Sequence, residues 1–337
     1  MKTYLLHRQQ GIHGLELVDR PRAALAPAQV RLRMRAVSLN ARDLLIANAL
    51  VDGPPLVPCS DGVGEVIEVG AAVTRWRIGD RVFPNFYPGW IDGPPTPEQV
   101  ASGLGGGREP GMLSEEVVID AAALVAVPQH MTDAEAATLP CAGVTAWNAL
   151  FGGVAQLLPG QTVLLLGTGG VSTWALQLAR AAGLRAIVTS SDDRKLETAR
   201  SLGAAATINY RAHPEWSAEV RRLTQGSGVD LVVEVGGRGT LVQSLASTRM
   251  GGAVALVGGV SGDFGAELPP DGLMDGMQAI FGVRVGSRRA AERLAAFASV
   301  ARLRPAIDRT FAFRQAREAY DHLAEARHVG KVVIELD

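Results

Sequence analysis

Hydrophobic positions change rhythm partway along the chain. From Leu5 to about Val127, short runs such as VRLRMRAVSL, GVGEVIEVG, DRVFPNF and SEEVVI are broken by Gly and Pro turns, which predicts a compact β-rich unit. After Pro140 the runs TVLLLG (162–167), RAIVTSS (185–191), AATINY (205–210), VDLVVEV (229–235) and GAVALVGG (252–259) are nearly continuous in apolar character, as in strands covered on both faces. Between the first two, Val171, Trp174, Ala175, Leu178 and Ala182 recur at helical spacing and predict a helix with one face on the sheet. The next helix starts with Ser191 or Asp192 as N-cap and ends where Gly203 supplies a left-handed cap. Strand, helix, strand repeated in this way predicts a parallel sheet with right-handed crossovers.

The tail from about Arg289 carries a helix (AAERLAAFASVARL), a stop at Pro305, a second helix (FRQAREAYDHLAEAR) and a last strand (GKVVIEL) that is expected to return to the N-terminal unit. Residues 88–111, rich in Gly and Pro, form a segment too long for a simple connector, and loops of that length are usually functional or mobile.

Composition narrows the class. At 337 residues the chain exceeds what one hydrophobic core usually serves, so two domains are expected. A formal net charge of -1 argues against a general attraction to nucleic acid or anionic lipid. No apolar stretch reaches the length of a membrane span. The two cysteines, Cys59 and Cys141, and a start without the apolar core of a signal peptide point to a cytoplasmic protein without a disulfide framework. Only Lys2, Lys195 and Lys331 are lysine among 33 basic residues, so each lysine invites a position-specific reason.

The turn GTGGVS, with Gly167, Gly169, Gly170 and Val171, follows a predicted strand and opens a predicted helix. In that setting glycines let the backbone approach a pyrophosphate at the positive helix end; the competing reading is a tight turn without a ligand. The third motif position is Ser172, expected to loosen the helix slightly against the strand. An NAD site typically carries an acid at the tip of the second strand. Here the tip carries Ser190 and Ser191, with Arg194 and Lys195 beyond, groups that suit a 2′-phosphate. NADP(H) is therefore the expected cofactor. Asp192 and Asp193 leave two readings: ribose ligands, or acids favoured at a helix N-terminus.

Taken in order, the β-rich unit, PCAGVTAW, GTGGVS, TSSDDRKLE, ATINY, VDLVVEVGG and HVGKVVIEL resemble the medium-chain dehydrogenase/reductase superfamily over essentially the whole chain. The match is nearest to its zinc-free branch of quinone oxidoreductase-like and zinc-type alcohol dehydrogenase-like proteins. The resemblance implies an α/β protein, a Rossmann doubly wound parallel sheet plus a GroES-like β-rich catalytic domain. The catalytic domain is expected over 1–127 and 289–337 and the cofactor domain over 128–288.

In zinc-dependent relatives Cys, His and Cys hold a catalytic metal. Those positions fall here at Asn40, Ser60 and Cys141, a set that does not suit Zn²⁺, although Cys59 and Asp61 stand beside the missing histidine. No cysteine lies between 85 and 115 for a structural zinc. No zinc is expected. The resemblance also implies cofactor contacts from Thr145, Gly236, Gly258, Gly259, Val260, Gly286 and Ser287. Tyr210 is implied beside the adenosine phosphate or as a capping residue on an edge strand. Lys331 is implied near the 2′-phosphate or as an exposed lysine at a strand start.

For the acceptor, Asn40 is the first candidate to hydrogen-bond a substrate carbonyl and Ser60 the second; a turn-stabilising role competes for Asn40. Phe86, Tyr87 and Trp90 are candidates for an apolar wall. The leading expectation is an NADPH-dependent reductase of a small-molecule electrophile: a quinone, enone or other activated carbonyl. The alternatives are an NAD(H)-using zinc-free alcohol dehydrogenase and an NADPH-binding protein without useful turnover. A homodimer is implied, joined through AIFGVRVG (279–286).

Overall fold

The computed structural model describes residues 1–49, 53–259 and 270–336. The chain divides into two compact units, residues 1–144 with 285–337, and residues 145–284.

Unit 1 begins with an antiparallel hairpin of β1 (Lys2–Leu6) and β2 (Leu15–Asp19). There follow β3 (Gln29–Leu39), α1 (Ala41–Ala47), β4 (Asp61–Val69), β5 (Arg81–Pro84), α2 (Pro97–Ala101), β6 (Glu116–Asp120), β7 (Leu124–Ala126) and α3 (Asp133–Ala136). A π-helical turn over Leu139–Gly143 leads into α4 (Val144–Phe151). Unit 2 then runs β8 (Thr162–Leu166), α5 (Gly170–Ala181), β9 (Arg185–Ser190), α6 (Asp193–Ser201), β10 (Ala206–Asn209), α7 (Trp216–Leu223), β11 (Val229–Glu234), α8 (Leu241–Ser247), β12 (Thr248–Leu256), α9 (Pro270–Asp275) and β13 (Ala279–Gly282). The chain returns to unit 1 through α10 (Arg288–Ala301), β14 (Ile307–Ala312), α11 (Ala316–Ala324) and β15 (Lys331–Glu335).

The sheet of unit 1 has the order β14-β15-β3-β4-β5-β7, with β6 also paired to β3. All its pairings are antiparallel except β14 with β15. Its core includes Leu32, Met34, Leu39, Val66, Met112, Leu113 and Tyr320. The alternation in β3 explains its place: Leu32 and Met34 point into the core while Arg33 stays exposed.

The expected domain limits shift. Residues 128–144 belong to unit 1, because α3 packs on β3 and β4 and the π-helical turn packs on β4, β5 and α10. The return to unit 1 comes at Val285 rather than at 289.

Unit 2 is built on a six-stranded parallel sheet of order β10-β9-β8-β11-β12-β13. The order reverses direction between β8 and β11, the switch point outside whose strand ends such sheets bind ligands. β13 is an edge strand ending at Gly282, shorter than the run 279–286 expected to pair between protomers. Leu164, Ile187, Ile208, Val232 and Val254 from five neighbouring strands share one core.

The long segment after β5 is ordered by its own contacts. Leu104 is buried, α2 is capped by Thr96, and the Phe86 and Tyr87 rings meet edge to face at 4.6 Å. Its glycines allow the approach: a Cβ at Gly111 would lie 2.1 Å from the Pro58 carbonyl oxygen.

Candidate functional site

Three strand ends deliver the polar cluster of unit 1. In the antiparallel register β15 sets Val332 opposite Leu39 and β4 sets Asp61 opposite Ser38. One step beyond Leu39, Asn40 therefore meets Lys331 across the strands. The Lys331 side chain, 2% exposed, donates to the Leu39 carbonyl and to Asn40 Oδ1. This corrects the reading of Lys331 as an exposed lysine: it is a strand-start residue, but a buried one, with its ammonium engaged inside unit 1.

Asn40 is the N-cap of α1, and its backbone N–H donates to Asp43 Oδ2 at 2.8 Å. Its backbone thus helps to start the helix, while its side chain faces Lys331. The amide Nδ2 is shielded from solvent and makes no hydrogen bond; it stands close enough to Asp61 to help hold that carboxyl down without reaching bonding geometry.

Asp61 is fully buried. One oxygen accepts from Ser60 Oγ at 2.7 Å and the other from the Cys141 backbone N–H at 3.2 Å. Burial pushes its pKa up, and the Lys331 ammonium with these donors opposes the shift. The π-helical turn explains the second bond: Gly143 N–H reaches back to the Thr138 carbonyl, and the Cys141 N–H is left to point at the carboxylate.

Asp43 is pushed up to about 6 by burial, against the Arg42 guanidinium beside it. That guanidinium lies 4.8 Å from the Phe86 ring centre. Cys59, buried and held at φ 70, lies with its Sγ 3.3 Å from Tyr320 Oη. Burial drives both groups well above their ordinary pKa values, so this pair is neutral packing. Phe86, Tyr87 and Trp90, the expected apolar wall, are all buried.

The three positions where zinc-dependent relatives hold a metal do not make a zinc site by their donor chemistry. The Asn40 oxygen is taken by an ammonium, Ser60 spends its hydroxyl proton on Asp61, and burial, with Asp61 adding to it, raises the Cys141 thiol above its ordinary pKa. A cation such as Zn²⁺ would also face Lys331. Among the described residues no group of three or more His, Cys, Asp or Glu side chains is placed to hold a metal ion.

In unit 2 the turn after β8 fits a dinucleotide pyrophosphate. Gly167 adopts φ 75, Gly169 is the N-cap of α5 without a side-chain cap, and a Cβ at either glycine would meet no atom within 4 Å. The open space and the uncapped N–H groups of Gly170 and Val171 are what a phosphate needs. Ser172 does not loosen the helix: its Oγ donates to the Leu166 carbonyl at 2.6 Å and ties α5 to the strand.

At the tip of β9, Ser190 is buried and its Oγ accepts from the Asp192 N–H at 3.4 Å, while Ser191 is half-buried. Asp192 caps α6, accepting from the backbone N–H groups of Arg194 and Lys195, and Asp193 accepts from Asn209 Nδ2. Asp192 thus serves the helix start, and Asp193, in the first turn of α6, is tied to the end of β10. Tyr210 is 42% exposed after β10, and Thr145 is buried in α4.

Other expected cofactor residues have local work. At Gly236 a Cβ would lie 2.3 Å from Thr240 Oγ1, and Gly258 leaves 3.3 Å to the Val235 carbonyl oxygen. The loop bearing Gly236 is shaped by buried Glu234, which accepts from Gly236 N, Gly237 N, Thr240 Oγ1 and Ser244 Oγ. Gly286 and Ser287 fall in unit 1, and Ser287 caps α10 by accepting from Ala290 N–H at 3.2 Å. The cap uses one lone pair of the Ser287 oxygen and leaves its O–H proton to donate elsewhere. Gly259 closes the described part of that loop, and Val260 lies outside the described residues.

Sequence reasoning missed Asp43 and Arg42 as site members and noted Asp61 only as a neighbour of the missing histidine. The spacing Asn40-x-x-Asp43 is a capping-box signal that points to the first of them; nothing local marks Asp61 as the shared acceptor.

Residues 26–129 match the alcohol dehydrogenase GroES-like domain family and residues 170–300 match the zinc-binding dehydrogenase family. A zinc-type alcohol dehydrogenase-like protein of Schizosaccharomyces pombe is 42% identical, covering 93% of this chain and 92% of that protein. A quinone oxidoreductase of Pseudomonas aeruginosa is 30% identical over 96% of each. The crystal structure of an NAD-dependent alcohol dehydrogenase superposes with a TM-score of 0.90 at 31% identity, covering 100% of both chains. With both sheets, the glycine turn and the matched segments in agreement, this chain belongs to the medium-chain dehydrogenase/reductase superfamily and is an oxidoreductase of the alcohol dehydrogenase type.

Proposed function

We propose that this protein is a cytoplasmic NADPH-dependent reductase that delivers hydride to a quinone, enone or other activated carbonyl without a metal. The observation that carries the reading is the cluster at Asn40: a neutral amide with an unpartnered Nδ2, backed by a buried ammonium, where metal-dependent relatives place their ion. When bound, the nicotinamide supplies the hydride. The chain's own part is to orient and polarise. Asn40 Nδ2 donates to the acceptor oxygen as negative charge develops there, and Phe86, Tyr87 and Trp90 contribute apolar surface on the same unit.

The NADPH preference is supported by the β9 tip. Asp192 and Asp193 are occupied by α6 and Asn209, while Ser190, Ser191, Arg194 and Lys195 offer hydroxyls and cations to a 2′-phosphate. The turn from Gly167 to Val171 would hold the pyrophosphate. The terminal place of β13 in its sheet supports pairing with a second copy of this chain, which sedimentation at micromolar concentration tests.

A second reading, an NAD(H)-using alcohol dehydrogenase without zinc, is favoured by the likeness to the NAD-dependent structure. Steady-state rates with NADPH and NADH against benzoquinone, cyclohexenone and a series of alcohols, with metal analysis of the same sample, separate the two. Faster turnover with NADH and alcohols, or stoichiometric zinc, would overturn the proposal.

A further inference from the structure

We propose that Lys331 is a positioning residue for Asn40: its buried ammonium fixes the amide with Oδ1 inward and leaves Nδ2 as the donor to the acceptor oxygen. The inference rests on the reading of Asn40 given above.

Three observations support it. The β15–β3 register brings Lys331 opposite Asn40 from a residue far away in the chain. The ammonium, with three donors and no acceptor, bonds the Leu39 carbonyl and Asn40 Oδ1. A flipped amide would set NH₂ against NH₃⁺, so the cation selects one orientation. In that orientation Nδ2 is buried on the side of the Asp61 carboxyl without a well-formed hydrogen bond, and an amide nitrogen with two N–H groups keeps one for an acceptor oxygen. A charged donor on the amide oxygen also polarises the group and strengthens its N–H as a donor. A cation taken out of water at a strand end is itself expensive, and the Asp61 carboxylate offsets part of that cost. A lysine is an improbable choice for packing alone in a chain with three of them.

The test uses the full-length protein with NADPH and with benzoquinone and cyclohexenone as acceptors. Lys331→Met is expected to lower kcat about 10- to 100-fold, with the NADPH Kd changed less than about threefold, and Lys331→Arg to recover part of the loss. In an Asn40→Ala background Lys331→Met should have no further effect, because the two act as one unit. Should Lys331→Met not fold, Lys331→Gln serves: it keeps a neutral donor for the Leu39 carbonyl and Asn40 Oδ1 without the charge, and kcat is expected to fall while the NADPH Kd changes little. Wild-type kcat in a folded Lys331→Met or Lys331→Gln, or a loss that multiplies with that of Asn40→Ala, would overturn the inference. If Asn40→Ala alone leaves kcat and KM unchanged, the reading of Asn40 as substrate donor is what has failed.

Discussion

Ser60 Oγ donates to Asp61 Oδ1 at 2.7 Å, with both residues fully buried. Because the other oxygen accepts from Cys141 N–H and the carboxylate faces Lys331, Asp61 is the anion that holds this end of the sheet together. Asp61→Asn removes the charge and leaves one donor without an acceptor, at an expected cost of about 3 kcal/mol. Ser60→Ala loses one bond to a charged group, about 1.5 to 3 kcal/mol. Urea unfolding curves for the three proteins check both values; unchanged midpoints would remove Asp61 from that role.

Gly169 separates ligand binding from folding. Its φ of -75 suits any L-residue and its Cβ position is open, so Gly169→Val should leave stability within about 0.5 kcal/mol. The side chain would occupy the space meant for the pyrophosphate, and the Kd for NADPH should rise at least about tenfold. Gly167, at φ 75, behaves differently: Gly167→Ala should also destabilise the fold, by about 1 to 2 kcal/mol. Fluorescence titration and thermal melts on the same samples distinguish the two positions.

Lys195 tests the choice of cofactor. Lys195→Ala should raise the Kd for NADPH by about tenfold, the worth of one phosphate contact to a cation, and leave NADH binding nearly unchanged. Equal weakening of both nucleotides, measured by titration at fixed ionic strength, would assign that lysine to the helix alone.

Asp43 predicts a pH effect on stability. Burial raises its carboxyl from 3.8 to about 6 in the folded protein, so the protonated form favours folding. That contribution is fully present below about pH 4 and is lost as pH rises through about 6. Asp43→Asn keeps an acceptor for the Asn40 N–H and cannot ionise. The variant should therefore gain on the wild type between about pH 4 and pH 8, by up to about 3 kcal/mol. Chemical denaturation of both proteins across that range measures the difference; a constant gap would show that the carboxyl is not perturbed.

Much of unit 2 was legible in the sequence because its signals are local. The apolar run Thr162–Leu166, the glycine turn and the helical spacing from Val171 lie within some twenty residues and report one βα unit. Asp192 as N-cap and Gly203 at φ 108 were readable for the same reason, since a cap concerns only the adjacent backbone. Where the reading slipped, the competing contact came from elsewhere. LPCAGVTAW has the apolar density of a helix start, and only the packing of its first half on β4 and β5 places the unit boundary after Val144.

What the order of residues alone determined was the class of the protein: two units and a parallel nucleotide-binding sheet; the family resemblance added Asn40, Ser60 and Cys141 at the positions where zinc-dependent relatives hold a metal. Tertiary structure decided what those positions do. Lys331 and Asn40 are separated by most of the chain, and their meeting depends on the register between the last strand and β3; a slip of one residue would turn Lys331 to the other face of the sheet. Likewise Asp61 becomes a shared acceptor only because a strand end and a π-helical turn converge on it. Short-range patterning specifies the elements, whereas the charge environment of a buried group is set by neighbours that no local pattern can name.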